Sequence, residues 1–449
     1  MSKRVCVIGG GISGLCVAYR LKRSGVDVTL FEKSESAGGS IKTVIRDGFL
    51  YEHGPNSALA SRELLDLIGE LGLSEQIAVP NPNAKNRLVV RGGKLAALPS
   101  SISSFINSRT FTVKAKIRLL KEPFVPAGSN PGESVAQFFE RRLGKEIVDY
   151  AVDPFISGIY AGDPQKLSIE HAFPKLYHLE QKHGSILRGA LFSKKDKAVR
   201  LPKGTPRSIT FKNGMQTLSD ALAGKLGASL RLETSVNEIR GSLQNRYVIK
   251  NDSGDEKFDA VVVSTPARAA ARLTAVIDAG LSKTLDGIYY APVSVVITAF
   301  KCDQVTADAA GFGFLVPGVE NRRILGSLWT SSVFENRAPD GYHIFTTFIG
   351  GSRGARLCEL SDSEIVTIVL EELDSILGIS GEPVFSVVKK WERAIPQYNI
   401  GYEKVTDAIE KFQSNNRGFF FCSNFYKGIS VGDCVKNSAA TAADVLEFL

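Results

Sequence analysis

Histidine, paired cysteine and long apolar runs are scarce in this 449-residue sequence, and each shortage removes a class of function. The five histidines, His53, His171, His178, His183 and His343, form neither an HExxH motif nor a Cys/His set with zinc spacing, so no metal site is expected. The three between 171 and 183 read as the solvated surface of a helix. The six cysteines, Cys6, Cys16, Cys302, Cys358, Cys422 and Cys434, contain no CxxC pair and read as reduced thiols of a cytosolic protein. No apolar stretch reaches the roughly 18 residues a spanning helix requires. The sequence MSKR runs straight into an apolar strand, so neither a signal nor a transit peptide is expected. Low-complexity segments and solenoid-period repeats are missing as well. The expected location is cytoplasmic, with a peripheral position on the inner face of the cytoplasmic membrane left open.

What is present is ordinary globular composition, 43% hydrophobic and 23% charged, in a chain long enough for two or three domains. The net charge of +8 is concentrated: residues 91–204 hold 19 Lys and Arg against 10 Asp and Glu, which leaves the remainder near neutrality. Positions 115–124 interleave apolar residues with Lys116, Arg118 and Lys121, after Lys114. That pattern suits a basic amphipathic surface facing anionic lipid, and equally a helix with a solvated basic face. Nucleic acid is a poor fit, because the segment lacks interleaved aromatics and any recognised binding motif.

The most specific feature lies at the start. An apolar strand, Val5 to Ile8, runs into Gly9, Gly11 and Gly14 in G-x-G-x-x-G spacing, followed by an apolar-periodic helix, a stop at Gly25 and a second apolar strand ending at Glu32. Gly9 permits the tight turn, Gly11 lets backbone approach a pyrophosphate, and Gly14 lets helix and strand pack closely. Gly10, Ile12 and Ser13 complete the loop, whose helix N-terminus offers free N–H groups to phosphate. Glu32, followed by Lys33, stands 18 residues after Gly14, where a carboxylate can accept ribose hydroxyls and disfavours a 2′-phosphate. These residues predict a dinucleotide site, without deciding between a nicotinamide and a flavin.

Further along, Gly38 and Gly39 make a flexible crossing, and the alternation after them suits a short hairpin. Residues 84–98 read as strand, Gly-Gly turn and strand; 99–202 are helical; 293–350 are strand-rich; helices are expected at 61–71, 363–377 and 433–448. The expected fold is α/β. A discontinuous Rossmann-like domain takes 1–80, 205–266 and 390–449, a mixed-sheet substrate domain takes 81–98 and 267–389, and a basic, membrane-associating helical domain is inserted at 99–204.

Along nearly its whole length the sequence resembles the FAD-dependent protoporphyrinogen oxidases, within the amine-oxidase-like flavoproteins. The segments that carry the resemblance are GGGISGL, AGGSIKT, GFLYEHGPNS, NRLVVRGGKLAALP, NGMQTLSDAL, GFGFLVPGVENRRILGSLWTSSVFENRAPDG, TTFIGGSR, AIPQYNIGY and KGISVGDCVKNSAATA. One departure stands out: where the Gly-Gly motif usually has flanking arginines, this chain has Ser36 and Ser40, with Lys42 nearby.

The resemblance implies FAD, a porphyrinogen substrate and molecular oxygen, with six electrons removed in three flavin cycles and hydrogen peroxide formed. It implies that Gly9, Gly11 and Gly14 hold the pyrophosphate and Glu32 the ribose, with Val236 beside the adenine. Gly39, Ser40, Gly54, Pro55, Asn56 and Ser57 would line the flavin and Trp391 flank it. Ile429, Ser430 and Val431 would offer N–H groups at a helix start, where positive potential favours reduced flavin. Arg87 would bind a propionate, Leu315, Leu328 and Phe348 would clamp the tetrapyrrole, and Asn56 would position the reacting carbon rather than act as a base. Rival readings are a coproporphyrinogen III oxidase, an amine oxidase and a tetrapyrrole-binding flavoprotein without turnover. A homodimer is compatible with all of them.

Overall fold

The computed structural model describes residues 3–84, 86–99, 101–128, 132–193, 208–242, 246–307 and 310–449. Its first sheet is all parallel, in the order Leu230–Arg231, Asp27–Phe31, Arg4–Ile8, Ala260–Val263, Phe419–Phe421. These strands are continuous apolar runs because both faces are covered. Val5, Val7 and Val262 pack under the helices Ile12–Arg23, Gln216–Leu226 and Val431–Phe448, while Cys6, Val261 and Val263 face the helices Ala267–Thr274 and Glu403–Asn415. A three-stranded meander, Val236–Ser242, Arg246–Asn251 and Gly254–Phe258, caps that second side.

The second sheet is mixed and seven-stranded: Phe385–Pro396, Tyr290–Lys301, Tyr342–Gly350, Ile324–Trp329, Gly313–Leu315, Arg87–Arg91 and Lys94–Ala97. All its pairings are antiparallel except that between Gly313–Leu315 and Arg87–Arg91. One face is buried under the helix Asp362–Leu377 through Val296, Phe300 and Phe345. The opposite face carries Val293, Val295 and Ile297 and packs in part on Phe49 and Tyr51.

Two expected boundaries move. The strand Phe385–Pro396 runs unbroken in the second sheet, so Trp391 belongs to that sheet and not to a nucleotide domain beginning at 390. The helices Ala267–Thr274 and Ala279–Asp286, assigned by sequence to the substrate domain, contribute Ala267, Ala270 and Leu285 to the core beneath the parallel sheet. In both cases a local apolar pattern does not say which of two cores it enters.

The seam between the halves is held by Arg337 of the RAPDG segment. It is 2% exposed and donates to the main-chain carbonyls of Lys212 and Phe211 at 3.1 and 2.8 Å. Glu52 lies within its field and accepts from the Met215 N–H and the Thr43 hydroxyl, each at 2.8 Å; burial, the largest influence, nonetheless raises its pKa.

Residues 101–128 and 132–193 are mainly helical, with one π-helical turn, Val148–Val152. The expected helical continuation toward 202, with its share of the basic charge, falls in 194–207, outside the described residues. Among the described residues no helix is long and apolar enough to cross a membrane. The helices are joined by ion pairs out of water: Glu180 meets Arg141 and Arg142 at 2.7 Å each, and Arg142 also meets Glu122 at 3.4 Å. Glu180, Arg142 and Glu122 are fully buried. Removing Arg142 leaves the buried Glu122 with no cation paired to it among the described residues, so Arg142→Ala is expected to lower unfolding free energy by about 3–5 kcal/mol. Chemical denaturation checks this, and a loss of less than about 1 kcal/mol would contradict the network's role.

Candidate functional site

The strand Arg4–Ile8 ends at Gly9, whose φ of +106° is open to glycine, and whose N–H donates to the Phe31 carbonyl at 2.8 Å. A Cβ on Gly14 would stand 2.0 Å from the Gly9 carbonyl oxygen, so the helix can cross the strand end only with glycine there. Gly11 differs: a Cβ there would meet nothing within 4 Å. It is the N-cap of Ile12–Arg23, which has no side-chain cap and no acid in its first turn. Open space beside uncapped N–H groups is what a phosphate requires.

Glu32 is fixed at both oxygens, accepting from the Gly10 N–H at 2.6 Å and the Ser34 N–H at 2.8 Å. Each oxygen keeps a lone pair for a hydroxyl. Lys33 beside it is exposed. The Thr234 N–H donates to the Glu32 carbonyl at 2.9 Å, and this brings the half-buried Val236 to the same end of the site. The Ser13 side chain turns inward to the Cys434 thiol, so its backbone alone, with that of Ile12, is left for a ligand. Burial pushes the Cys434 thiol up to about 11 and those of Cys16 and Cys422 up to about 12. These thiols are protonated packing groups, and none of the six cysteines is in a disulfide.

The Gly38–Gly39 crossing lies directly on the loop. The Gly38 N–H donates to the Gly10 carbonyl at 2.8 Å, and a Cβ on Gly39 would come 3.2 Å from Gly11 Cα. The Ser40 carbonyl in turn touches Gly54, where a Cβ would stand 1.8 Å from it. Three stretches of backbone therefore form one wall. After Gly54 come the half-buried Pro55 and the buried Asn56, whose Oδ1 has no partner, as is also true of the buried His53 Nε2. The Ser57 hydroxyl is occupied by Ser208 at 2.9 Å. Trp391 Nε1 donates to the His53 carbonyl at 2.7 Å, which ties the second sheet to this wall. Burial, then Lys389 and Lys42, lowers the His53 pKa, keeping it neutral.

At the far end, Ser430 caps the helix Val431–Phe448. Its hydroxyl accepts from the Asp433 N–H at 3.1 Å and donates to the Asp433 carboxylate at 2.6 Å. The half-buried Ile429 precedes it. The positive potential expected there is thus partly offset by Asp433 in the first turn.

Strand register places the substrate candidates together. Leu315 lies opposite Gly326, which lies opposite Phe348; Leu328 lies opposite Gly313, which lies opposite Arg87. Opposed residues share a face, so all four project from the side away from the helix Asp362–Leu377. Leu315, Leu328 and Phe348 are half-buried and Arg87 is exposed, its guanidinium 5.2 Å from the Phe312 ring centroid. The helix Asp153–Tyr160 closes over one end, where a Cβ on Gly158 would come 2.9 Å from a Leu315 methyl.

Sequence reasoning overlooked Ser264 and Thr265, whose buried hydroxyls have no partner and which follow the strand Ala260–Val263 beside Gly9. Their signal was visible, since two hydroxyls directly after a fully buried parallel strand sit where such sheets bind ligands.

Residues 12–446 match the family described as flavin containing amine oxidoreductase. The chain belongs to this family. Among relatives of this amine oxidoreductase, the mitochondrial protoporphyrinogen oxidase of Nicotiana tabacum is 36% identical, covering 100% of this chain and 95% of that protein. The coproporphyrinogen III oxidase of Bacillus subtilis (strain 168) is 30% identical, covering 100% and 98%. A solved structure from Exiguobacterium sp. 255-15, given the provisional name protoporphyrinogen oxidase, superposes with a TM-score of 0.82 at 26% identity, covering 100% of this chain and 99% of that one.

FAD is the cofactor of this amine oxidoreductase. The empty space at Gly11, the uncapped helix start and the unpartnered Asn56, His53, Ser264 and Thr265 atoms fit it.

Gly11 has φ −70° and ψ 173°, which any residue can adopt, so Gly11→Val is expected to fold normally while filling the cradle. Its visible flavin absorbance per mole of protein should fall about tenfold or more, with apoprotein melting unchanged. A fully yellow variant would show that the cradle lies elsewhere. For His53, a lowered folded-state pKa means that the unfolded chain takes up a proton the folded chain resists, so stability is lost as pH falls below 6.5. Melting curves between about pH 7.5 and 5.5 should fall less steeply for His53→Gln than for the wild type. Equal slopes would overturn this.

Proposed function

We propose that this flavoprotein oxidises protoporphyrinogen IX to protoporphyrin IX in porphyrin biosynthesis, using oxygen as acceptor and forming hydrogen peroxide. The observation that carries the reading is the half-buried apolar row Leu315, Leu328 and Phe348 on the free face of the mixed sheet, with the exposed Arg87 at its edge. A large, oily macrocycle with carboxylate substituents matches such a surface. Full-length relatives named for porphyrinogen oxidation support it. Bound FAD would supply the redox chemistry, as a hydride acceptor.

The chain's own residues orient and enclose. Arg87 holds a propionate through paired N–H donors, the apolar row lies against the ring, and the Gly158 helix limits solvent access at Leu315. Asn56 presents an unpartnered amide oxygen toward the reacting edge, where it orients an N–H of the substrate and does not remove a proton. Gly9, Gly11, Gly14 and Glu32 hold the adenosine diphosphate end, with Val236 beside the adenine. Gly39, Ser40, Gly54, Pro55, Ser57 and Trp391 line the ring, with Ile429, Ser430 and Val431 at its far edge.

A shallow seat on anionic membrane belongs to the same reading. Val113, Ile117, Leu120 and Phe124 are 70, 49, 60 and 80% exposed, beside Lys114, Lys116, Arg118 and Lys121. This arrangement would bring an oily substrate to the enzyme. A homodimer and a cytoplasmic location complete the proposal.

Anaerobic addition of protoporphyrinogen IX should bleach the flavin, and readmitted air should restore it with release of peroxide. Arg87→Ala should keep its flavin spectrum and raise KM about tenfold or more. No bleaching by any porphyrinogen would leave a binding protein, and an unchanged KM would remove Arg87 from the site.

A further inference from the structure

Lys389 has no place in the site as described so far. It lies on Phe385–Pro396, opposite Val295, which lies opposite Phe348. Lys389 therefore projects from the same face as Phe348, Leu328 and Arg87, but from the opposite margin of the sheet. Five strand spacings of about 4.8 Å separate the two margins, roughly 24 Å between backbones. With an arginine and a lysine reaching inward by about 6 Å each, the cations can approach to about 12 Å, comparable with a tetrapyrrole and its side chains.

Lys389 is half-buried, and among the described residues no carboxylate pairs with it. Its Nζ is 4.7 Å from the centroid of the Trp391 ring, and it lies close enough to His53 to lower that residue's pKa. His53 presents a buried Nε2 without a partner. A half-buried cation with no carboxylate paired to it, on the same face as the apolar row, favours an anionic substituent of the substrate. Other cations of the second sheet are paired, Arg91 with Glu146 at 2.8 Å and Lys390 with Asp362 at 3.0 Å.

We propose that Lys389 is a carboxylate-binding residue of the substrate pocket, set across the apolar row from Arg87, through which the site accepts porphyrinogens carrying carboxylates on both edges of the ring. This rests on the porphyrinogen reading given above. A dicarboxylic porphyrinogen has both propionates on one edge and needs only Arg87. A tetracarboxylic one places carboxylates at both margins and engages Lys389 as well, so Lys389 widens the substrate range.

The test is equilibrium titration of the holoenzyme with the two oxidised porphyrins, protoporphyrin IX and coproporphyrin III, followed by fluorescence, for the wild type, Lys389→Met and Lys389→Arg. The wild type should bind both. Lys389→Met should bind coproporphyrin III about tenfold more weakly and protoporphyrin IX within about twofold of the wild type, while Lys389→Arg retains both affinities. Flavin spectra and melting temperatures should be unchanged. Unchanged coproporphyrin binding by Lys389→Met, or equal weakening of both porphyrins, overturns the assignment. A shifted flavin spectrum with porphyrin affinities intact also overturns it and places Lys389 at the cofactor. A wild type that binds neither porphyrin instead removes the porphyrinogen reading on which the proposal stands.

Discussion

Three backbone segments meet without side chains between them: Gly39 over Gly11, Ser40 against Gly54, and Gly14 against Gly9. A methyl group at Gly14 or Gly54 would fall within 2.0 Å of a carbonyl oxygen, so these approaches exist only because Cβ is missing. Two neighbouring groups of the candidate site are tied to this wall. Glu32 is aimed by the Gly10 N–H, and the wall continues through His53 to Trp391. Trp391 in turn belongs to the sheet that carries Phe348, Leu328 and Leu315. The hydrogen bond from Trp391 to the His53 carbonyl thus carries this wall across to the second half of the molecule.

Polarity along the site follows from the same construction. The phosphate end offers uncapped N–H groups with no acid in the first turn, whereas the helix at Ser430 is already capped and carries Asp433. One end of an elongated ligand meets unmet donors; the other meets a satisfied helix start. The middle holds neutral groups, His53 and Asn56, whose free atoms are buried. Such an arrangement suits an anionic diphosphate joined to a neutral ring system.

Local reading succeeded where chemistry is local. The glycine spacing marked a strand, a tight turn and a helix because these adjoin in sequence. It failed where membership is decided by distant partners. The helix Ala267–Thr274 and the strand bearing Trp391 are apolar in a way that either core would accept, and only packing assigns them. Ser264 and Thr265 went unremarked because hydroxyls after a strand also occur in ordinary turns. Lys389 was invisible for a similar reason, since whether a strand lysine has an ion-pair partner is decided by packing and not by its own segment. The proposed substrate residues Arg87, Leu315, Leu328 and Phe348 came from resemblance, and the register explains why residues so far apart in sequence can share one surface.

The joint at Arg337 has an evolutionary corollary. Its principal acceptors on the nucleotide-binding half are the main-chain oxygens of Phe211 and Lys212, which every amino acid possesses. Substitution at either position leaves the acceptor in place, so that half can drift in sequence without loosening the attachment. The constraint at this joint is therefore lopsided: the bond requires the arginine, whereas the exposed Lys212 can diverge and Phe211 is held only by the core it packs in.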